Sequence, residues 1–176
     1  MYSETAVDRP YRVLYLCTGN SARSILAEVL TNRFSHGKFE AYSAGSRPCG
    51  FVDPFVLDLL RDLKLPAEGL RSKSWDEFAQ PGAPQMDFIV TVCDRAAGEA
   101  CPVWPGHPLT AHWGVPDPAA ATGPDASRRE TYRRVMYTLQ HRITLLTELN
   151  VTSLDRLALR TRLGEIATQV PLDDAS

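Results

Sequence analysis

Residues 11–24 read Y-R-V-L-Y-L-C-T-G-N-S-A-R-S. The apolar run carrying Val13, Leu14 and Leu16 ends at Cys17, and Gly19 and Asn20 break it. From Ala22 onward the apolar residues Ile25, Leu26, Val29, Leu30 and Phe34 recur at spacings of three and four. The first pattern is that of a β-strand and the second that of an α-helix. A strand handing over to a helix through so short a loop commits the chain to a βα unit. The rest of the sequence has to be compatible with that unit.

The alternation continues. Strands are expected near 11–16, 39–43, 87–92 and 109–113, with helices near 22–35 and 53–64 and a short one over 74–78. Pro54 sits in the first turn of the second helix, with Phe55, Val56, Leu59, Leu60 and Leu63 on its inner face. A long amphipathic helix is expected after Pro124 to about 149, and Thr152 or Ser153 is the expected cap of a last helix through about 168. Strands alternating with helices predict an α/β fold, a parallel sheet covered on both faces. At 176 residues the chain fits one domain. Residues 1–9 read as a flexible tail, 10–150 as the α/β domain and 151–170 as a C-terminal helix packed on it.

In open parallel sheets, ligands bind beyond the carboxyl ends of the strands. Cys17, Cys93 and the V-P-D-P segment holding Asp117 all fall at such ends. Amides of the loop after Cys17 and the following helix N-terminus favour negative charge there, which predicts a lowered Cys17 pKa and a reactive thiolate. Arg23 adds a planar cation that can hold two oxygens of a tetrahedral anion. Thr18, Gly19, Asn20, Ser21, Ala22 and Ser24 complete the loop. Of these, Asn20 can tie its backbone and Ser24 can donate to the thiolate. Asp117, aimed by Pro116 and Pro118, is the candidate general acid. Cys93 and Cys101 are separated by D-R-A-A-G-E-A, a small-residue stretch that could bring their sulfurs together.

Other classes are disfavoured. The formal charge of −2 supports neither a nucleic-acid nor a membrane partner, and no apolar run approaches the ~20 residues of a membrane span. The N-terminal residues lack a secretory pattern, so a cytoplasmic protein is expected, in which four cysteines are catalytic or incidental. No C-x-x-C pair occurs and the four histidines lack ligand spacing, so no metal site is expected. Cys49 reads as an incidental exposed thiol. Glu28 and Ser43 could support Asn20 through a monovalent cation. His112 and Trp113 read as packing residues before the acid turn.

The chain resembles the arsenate reductases built on the low-molecular-weight tyrosine phosphatase fold. The resemblance rests on C-T-G-N-S-A-R-S at 17–24, S-A-G at 43–45, T-V-C-D at 91–94, the cysteine at 101 and H-W-G-V-P-D-P at 112–118. It implies a four-stranded parallel sheet with helices on both faces, plus a C-terminal helical extension. It also implies Cys17 as nucleophile, Arg23 as oxyanion clamp, Asp117 as acid, and Cys93 and Cys101 as redox relay. The implied substrate is arsenate, with phosphate or sulfate as competing anions. No tightly bound cofactor is implied beyond that candidate cation. Electrons would come from an external thiol (thioredoxin, glutaredoxin or a small thiol), and a monomer is implied. Family phosphatases follow the Asp-Pro with aromatic residues, whereas Ala119, Ala120 and Ala121 stand here, and Ala22 stands where a second loop cysteine is common. The Cys93–Cys101 interval is slightly longer than the reductase pattern. The alternatives are a phosphatase for phosphotyrosine or another phosphomonoester, using Cys17, Arg23 and Asp117, and a non-catalytic redox or arsenic-responsive module.

Overall fold

A computed structural model describes residues 9–99 and 101–172. Four strands, β1 (Tyr11–Cys17), β2 (Phe39–Gly45), β3 (Phe88–Thr91) and β4 (Leu109–His112), form one sheet in the order β2-β1-β3-β4. All three pairings are parallel. The helices are α1 (Arg23–Phe34), α2 (Pro54–Asp62), α3 (Asp94–Ala97), α4 (Asp125–Glu148) and α5 (Arg156–Gln169), with 3₁₀ turns at Trp75–Phe78 and Pro118–Ala120. This is the expected four-stranded α/β architecture with an additional C-terminal helix.

Period-two alternation along β1 divides the core. Val13, Tyr15 and Cys17 face a large apolar cluster shared with α1, α2, α4 and α5. Leu14 and Leu16 face a smaller cluster closed by Trp75, Phe78, Met86 and Trp104. The second face is thus covered by a 3₁₀ turn and loop residues, so the covering is uneven. The helix faces follow their sequences: Tyr132, Val135, Met136, Leu139, Ile143 and Leu146 of α4 are buried, as are Leu159, Leu163 and Ile166 of α5.

Several boundaries differ from the sequence reading. β3 pairs only over Phe88–Thr91, although the Val92 N–H still donates to Leu16 O at 2.8 Å. α2 stops at Asp62, and Lys64 then adopts a left-handed φ of 55°. The cap of α5 is Asp155, not Thr152 or Ser153: its Oδ1 accepts from the Ala158 N–H at 2.7 Å. Of the expected tail, residues 1–8 lie outside the described residues. Arg9 is pinned, because its guanidinium donates to both carboxylate oxygens of Asp87 at 2.9 and 3.2 Å. α3 has no counterpart in the sequence reading, being too short to show a period.

Candidate active site

Cys17 is the last residue of β1 and sits opposite Gly45 in the ladder. A Cβ on Gly45 would lie 2.4 Å from Thr18 O, so only glycine lets β2 approach the loop this closely. The loop turns at Asn20, whose φ of 45° lies in the left-handed region. The Asn20 side chain holds that turn, donating through Nδ2 to Ser24 Oγ at 2.8 Å and accepting the Lys73 N–H on Oδ1 at 2.9 Å. Segment 46–53 braces the loop from outside. Arg47, Cys49 and Asp53 donate their N–H groups to Thr18 O, Gly19 O and Ser21 O at 2.9 to 3.0 Å.

The Cys17 sulfur is buried. It lies 2.9 Å from Ser24 Oγ and accepts the Asn20 N–H at 3.2 Å. Burial nevertheless pushes the Cys17 thiol up, against the lowering pull of the Ser24 hydroxyl and of the Ser24 and Asn20 amides, and nearby Cys93 adds to the rise. This direction is opposite to the one expected from the loop amides and the helix N-terminus.

Arg23 opens α1, and its guanidinium donates to Val115 O at 3.2 Å and stands 3.8 Å from Asp117 Oδ2. The other Asp117 oxygen accepts the Ala119 N–H at 3.0 Å, which fixes the carboxylate rotamer. Cys93 follows β3 and caps α3, its sulfur accepting the Ala96 N–H at 3.3 Å. Thr18 Oγ1 is 3.7 Å from Cys93 Sγ. One cavity of about 500 Å3 is lined by the loop from Cys17 to Arg23 together with Cys93, Asp117 and Ala119. Four of the five expected catalytic residues and most of the expected loop therefore meet. Ser24 lies behind the wall as a support. Cys101 is exposed and does not line the cavity, although its thiol is partly desolvated. That desolvation and the Glu99 carboxylate push its pKa up. All four cysteines are free thiols, and Cys49 is exposed, as expected.

Three residues with a place at this site escaped sequence reasoning. Lys73 is buried behind the loop with its ammonium 4.0 Å from Glu28 Oε1. Burial raises the Glu28 pKa and lowers that of Lys73. The positive charge beside Glu28 is thus an ammonium of the chain itself, and Asn20 Oδ1 is engaged by the Lys73 amide. Glu99 accepts from Thr18 Oγ1 on Oε1 at 3.4 Å. Asp94 bonds His112 Nε2 at 2.7 Å, while His112 Nδ1 bonds Thr91 Oγ1 at 2.7 Å, so His112 is a tether rather than mere packing. No local signal announces these pairs, whose partners lie far apart in the chain.

The sequence pattern of the family described as low molecular weight phosphotyrosine protein phosphatase matches residues 12–156. An arsenate reductase of Halalkalibacterium halodurans is 32% identical over 136 residues, spanning 77% of this chain and 94% of the relative. One of Bacillus subtilis is 30% identical over the same coverage. Among solved structures, an arsenate reductase of Archaeoglobus fulgidus superposes with a TM-score of 0.61 at 31% identity, covering 78% of this chain and 99% of that one. A phosphotyrosine phosphatase of Vibrio cholerae shares the fold at 21% identity and a TM-score of 0.57, covering 74% of this chain and 90% of that one.

Proposed function

The chain belongs to the low molecular weight phosphotyrosine protein phosphatase family, and from that premise we propose that it reduces arsenate to arsenite through a thiol relay. One observation carries the reading beyond the family's common chemistry. A second buried thiol, Cys93, lines the same cavity as Cys17 and lies within 3.7 Å of the Thr18 hydroxyl. Ester hydrolysis has no use for that thiol. The lining also offers Ala119 where a phosphotyrosine ring would need an aromatic face.

The loop amides and Arg23 bind the arsenate oxygens. The protonated Cys17 thiol passes its proton to a basic oxygen of the bound anion, so no second negative charge accumulates in the buried pocket. The resulting thiolate attacks arsenic. Asp117 protonates the departing hydroxide, which leaves as water, and a Cys17 S–As(V) bond remains. The Cys93 thiolate then attacks Cys17 Sγ. The S–S bond forms, the S–As bond breaks, and arsenic keeps the electron pair and leaves as arsenite. Cys101 next attacks Cys93, freeing Cys17. For that step segment 94–99 has to leave its present contacts, since Cys101 stands outside the cavity. An external dithiol of the thioredoxin type reduces the Cys93–Cys101 disulfide.

The test is arsenite production with thioredoxin, glutaredoxin or a small thiol, by wild type and by Cys101→Ser. Multiple turnover in wild type and a single turnover in Cys101→Ser is the expected result. Sustained turnover by the variant with thioredoxin would sink the three-cysteine relay. The second reading, hydrolysis of a small phosphomonoester, is favoured by the Cys17, Arg23 and Asp117 set alone. Phosphatase turnover without arsenite from arsenate would establish it instead.

A further inference from the structure

Cys93 is buried, and a thiol has to lose its proton before it can attack a disulfide or a thio-adduct. The groups around it identify where that proton goes. Thr18 Oγ1 lies 3.7 Å from Cys93 Sγ and 3.4 Å from Glu99 Oε1. An ionised carboxylate only accepts, so the single hydroxyl proton of Thr18 points to Glu99. The lone pairs of Thr18 Oγ1 are then left to accept the Cys93 S–H. The other carboxylate oxygen, Glu99 Oε2, is buried and has no hydrogen-bond partner among the described residues. The Ala96 N–H, donating to Cys93 Sγ at 3.3 Å, favours the sulfur once it is charged.

The geometry points to Glu99 as a positioning base that activates Cys93 through the Thr18 hydroxyl. This rests on the thiol relay proposed above and adds a proton path to it. As Cys93 attacks Cys17 Sγ, its proton passes to Thr18 Oγ1 while the Thr18 proton passes to the Glu99 carboxylate. One negative charge moves from oxygen to sulfur, and no second charge is created in the pocket. Glu99 then holds the proton as a neutral acid. Its neutralisation also removes the lesser of the two influences, after desolvation, that hold the Cys101 pKa up.

The relay can be read without arsenate. In a protein carrying Cys49→Ser and Cys101→Ser, only Cys17 and Cys93 remain. A nitrobenzoate disulfide reagent caps Cys17 and releases one thionitrobenzoate. Attack by Cys93 on Cys17 Sγ then releases the second and leaves a Cys17–Cys93 disulfide, identified by mass. Glu99→Gln is expected to slow the second release by roughly 10²-fold, the low end for a proton-transfer group, and to leave the first unchanged. Glu99→Asp should recover most of the rate. Thr18→Val should slow the second release as much, Thr18→Ser should restore it, and the Thr18→Val, Glu99→Gln pair should be no slower than either alone. A second release as fast in Glu99→Gln as in the parent, or equally slowed in Glu99→Gln and Glu99→Asp, overturns the proposal. So does a parent that forms no Cys17–Cys93 disulfide. If the second release depends on Glu99 but wild type yields no arsenite from arsenate, the proton path stands and the arsenate reading falls.

Discussion

Burial and hydrogen bonding pull the Cys17 thiol in opposite directions, and burial dominates. A buried thiol can still surrender its proton to an anion seated in its own loop. Cys17→Ser should therefore abolish arsenate reduction and phosphatase turnover alike, which parallel assays will check. Asp117→Asn should slow the first chemical step by roughly 10²–10⁴-fold without weakening anion binding, as read by single-turnover kinetics and phosphate competition. Behind the loop, Lys73→Met would leave the Glu28 carboxylate buried without its ammonium, at a cost of about 3 kcal/mol near neutral pH. The sign with pH follows from Glu28, whose folded carboxyl already sits above its ordinary range. In the variant it would sit higher still. A folded state that binds a proton more tightly than the unfolded one is most stable below the carboxylate range, and it loses that advantage as pH rises through the raised value. Denaturation curves should show the Lys73→Met deficit shrinking toward mildly acidic pH.

At the scale of elements, the site is a junction where β1, β2 and β3 deliver their carboxyl ends to one loop. Gly45→Ala would drive a methyl group against Thr18 O, a backbone atom that cannot swing aside. A loss of about 1–3 kcal/mol is expected, with a fall in kcat for any oxyanion substrate, measurable by unfolding and steady-state kinetics. α3 is held from two sides, by Asp94 to His112 and by Glu99 to Thr18. Gly114 makes room for the first of these, since a Cβ there would lie 2.5 Å from Asp94 Oδ1. His112→Ala should raise hydrogen exchange at Ala96–Gly98 while leaving β1 protected. What the sequence made readable follows from range. The oxyanion loop was legible because strand, turn and helix are contiguous and Cys17, Asn20, Arg23 and Ser24 lie within one short stretch. Asp117 was legible through its flanking prolines. Lys73 and Glu99 were not, because they lie 53 and 81 positions from the loop residues they bond. The burial that acts on the Cys17 thiol was not legible for a related reason: it is a property of the folded surroundings, not of the residues beside the cysteine.

Across the whole molecule, α5 is joined to the acid turn by one buried cation. The Arg142 guanidinium of α4 donates to Trp113 O at 2.8 Å and Gly114 O at 3.2 Å on one side, and to Val170 O at 3.0 and 3.2 Å on the other. Trp113 Nε1 adds a bond to Leu163 O at 2.9 Å. Arg142→Leu would strip these carbonyls of their donors and should cost roughly 3 kcal/mol or more by denaturant unfolding. The same substitution should slow Asp117-dependent steps, because the segment leading to Asp117 loses its anchor. Each bond made by Arg142 ends on a neutral carbonyl. Among the described residues, the C-terminal helix is thus fastened by dipoles in the interior, with no anionic partner to titrate and little for dissolved ions to screen. Salt and moderate acid that dissolve the ion pairs of the surface would leave this fastening intact, so the acid turn keeps its footing as the ionic strength around the protein changes.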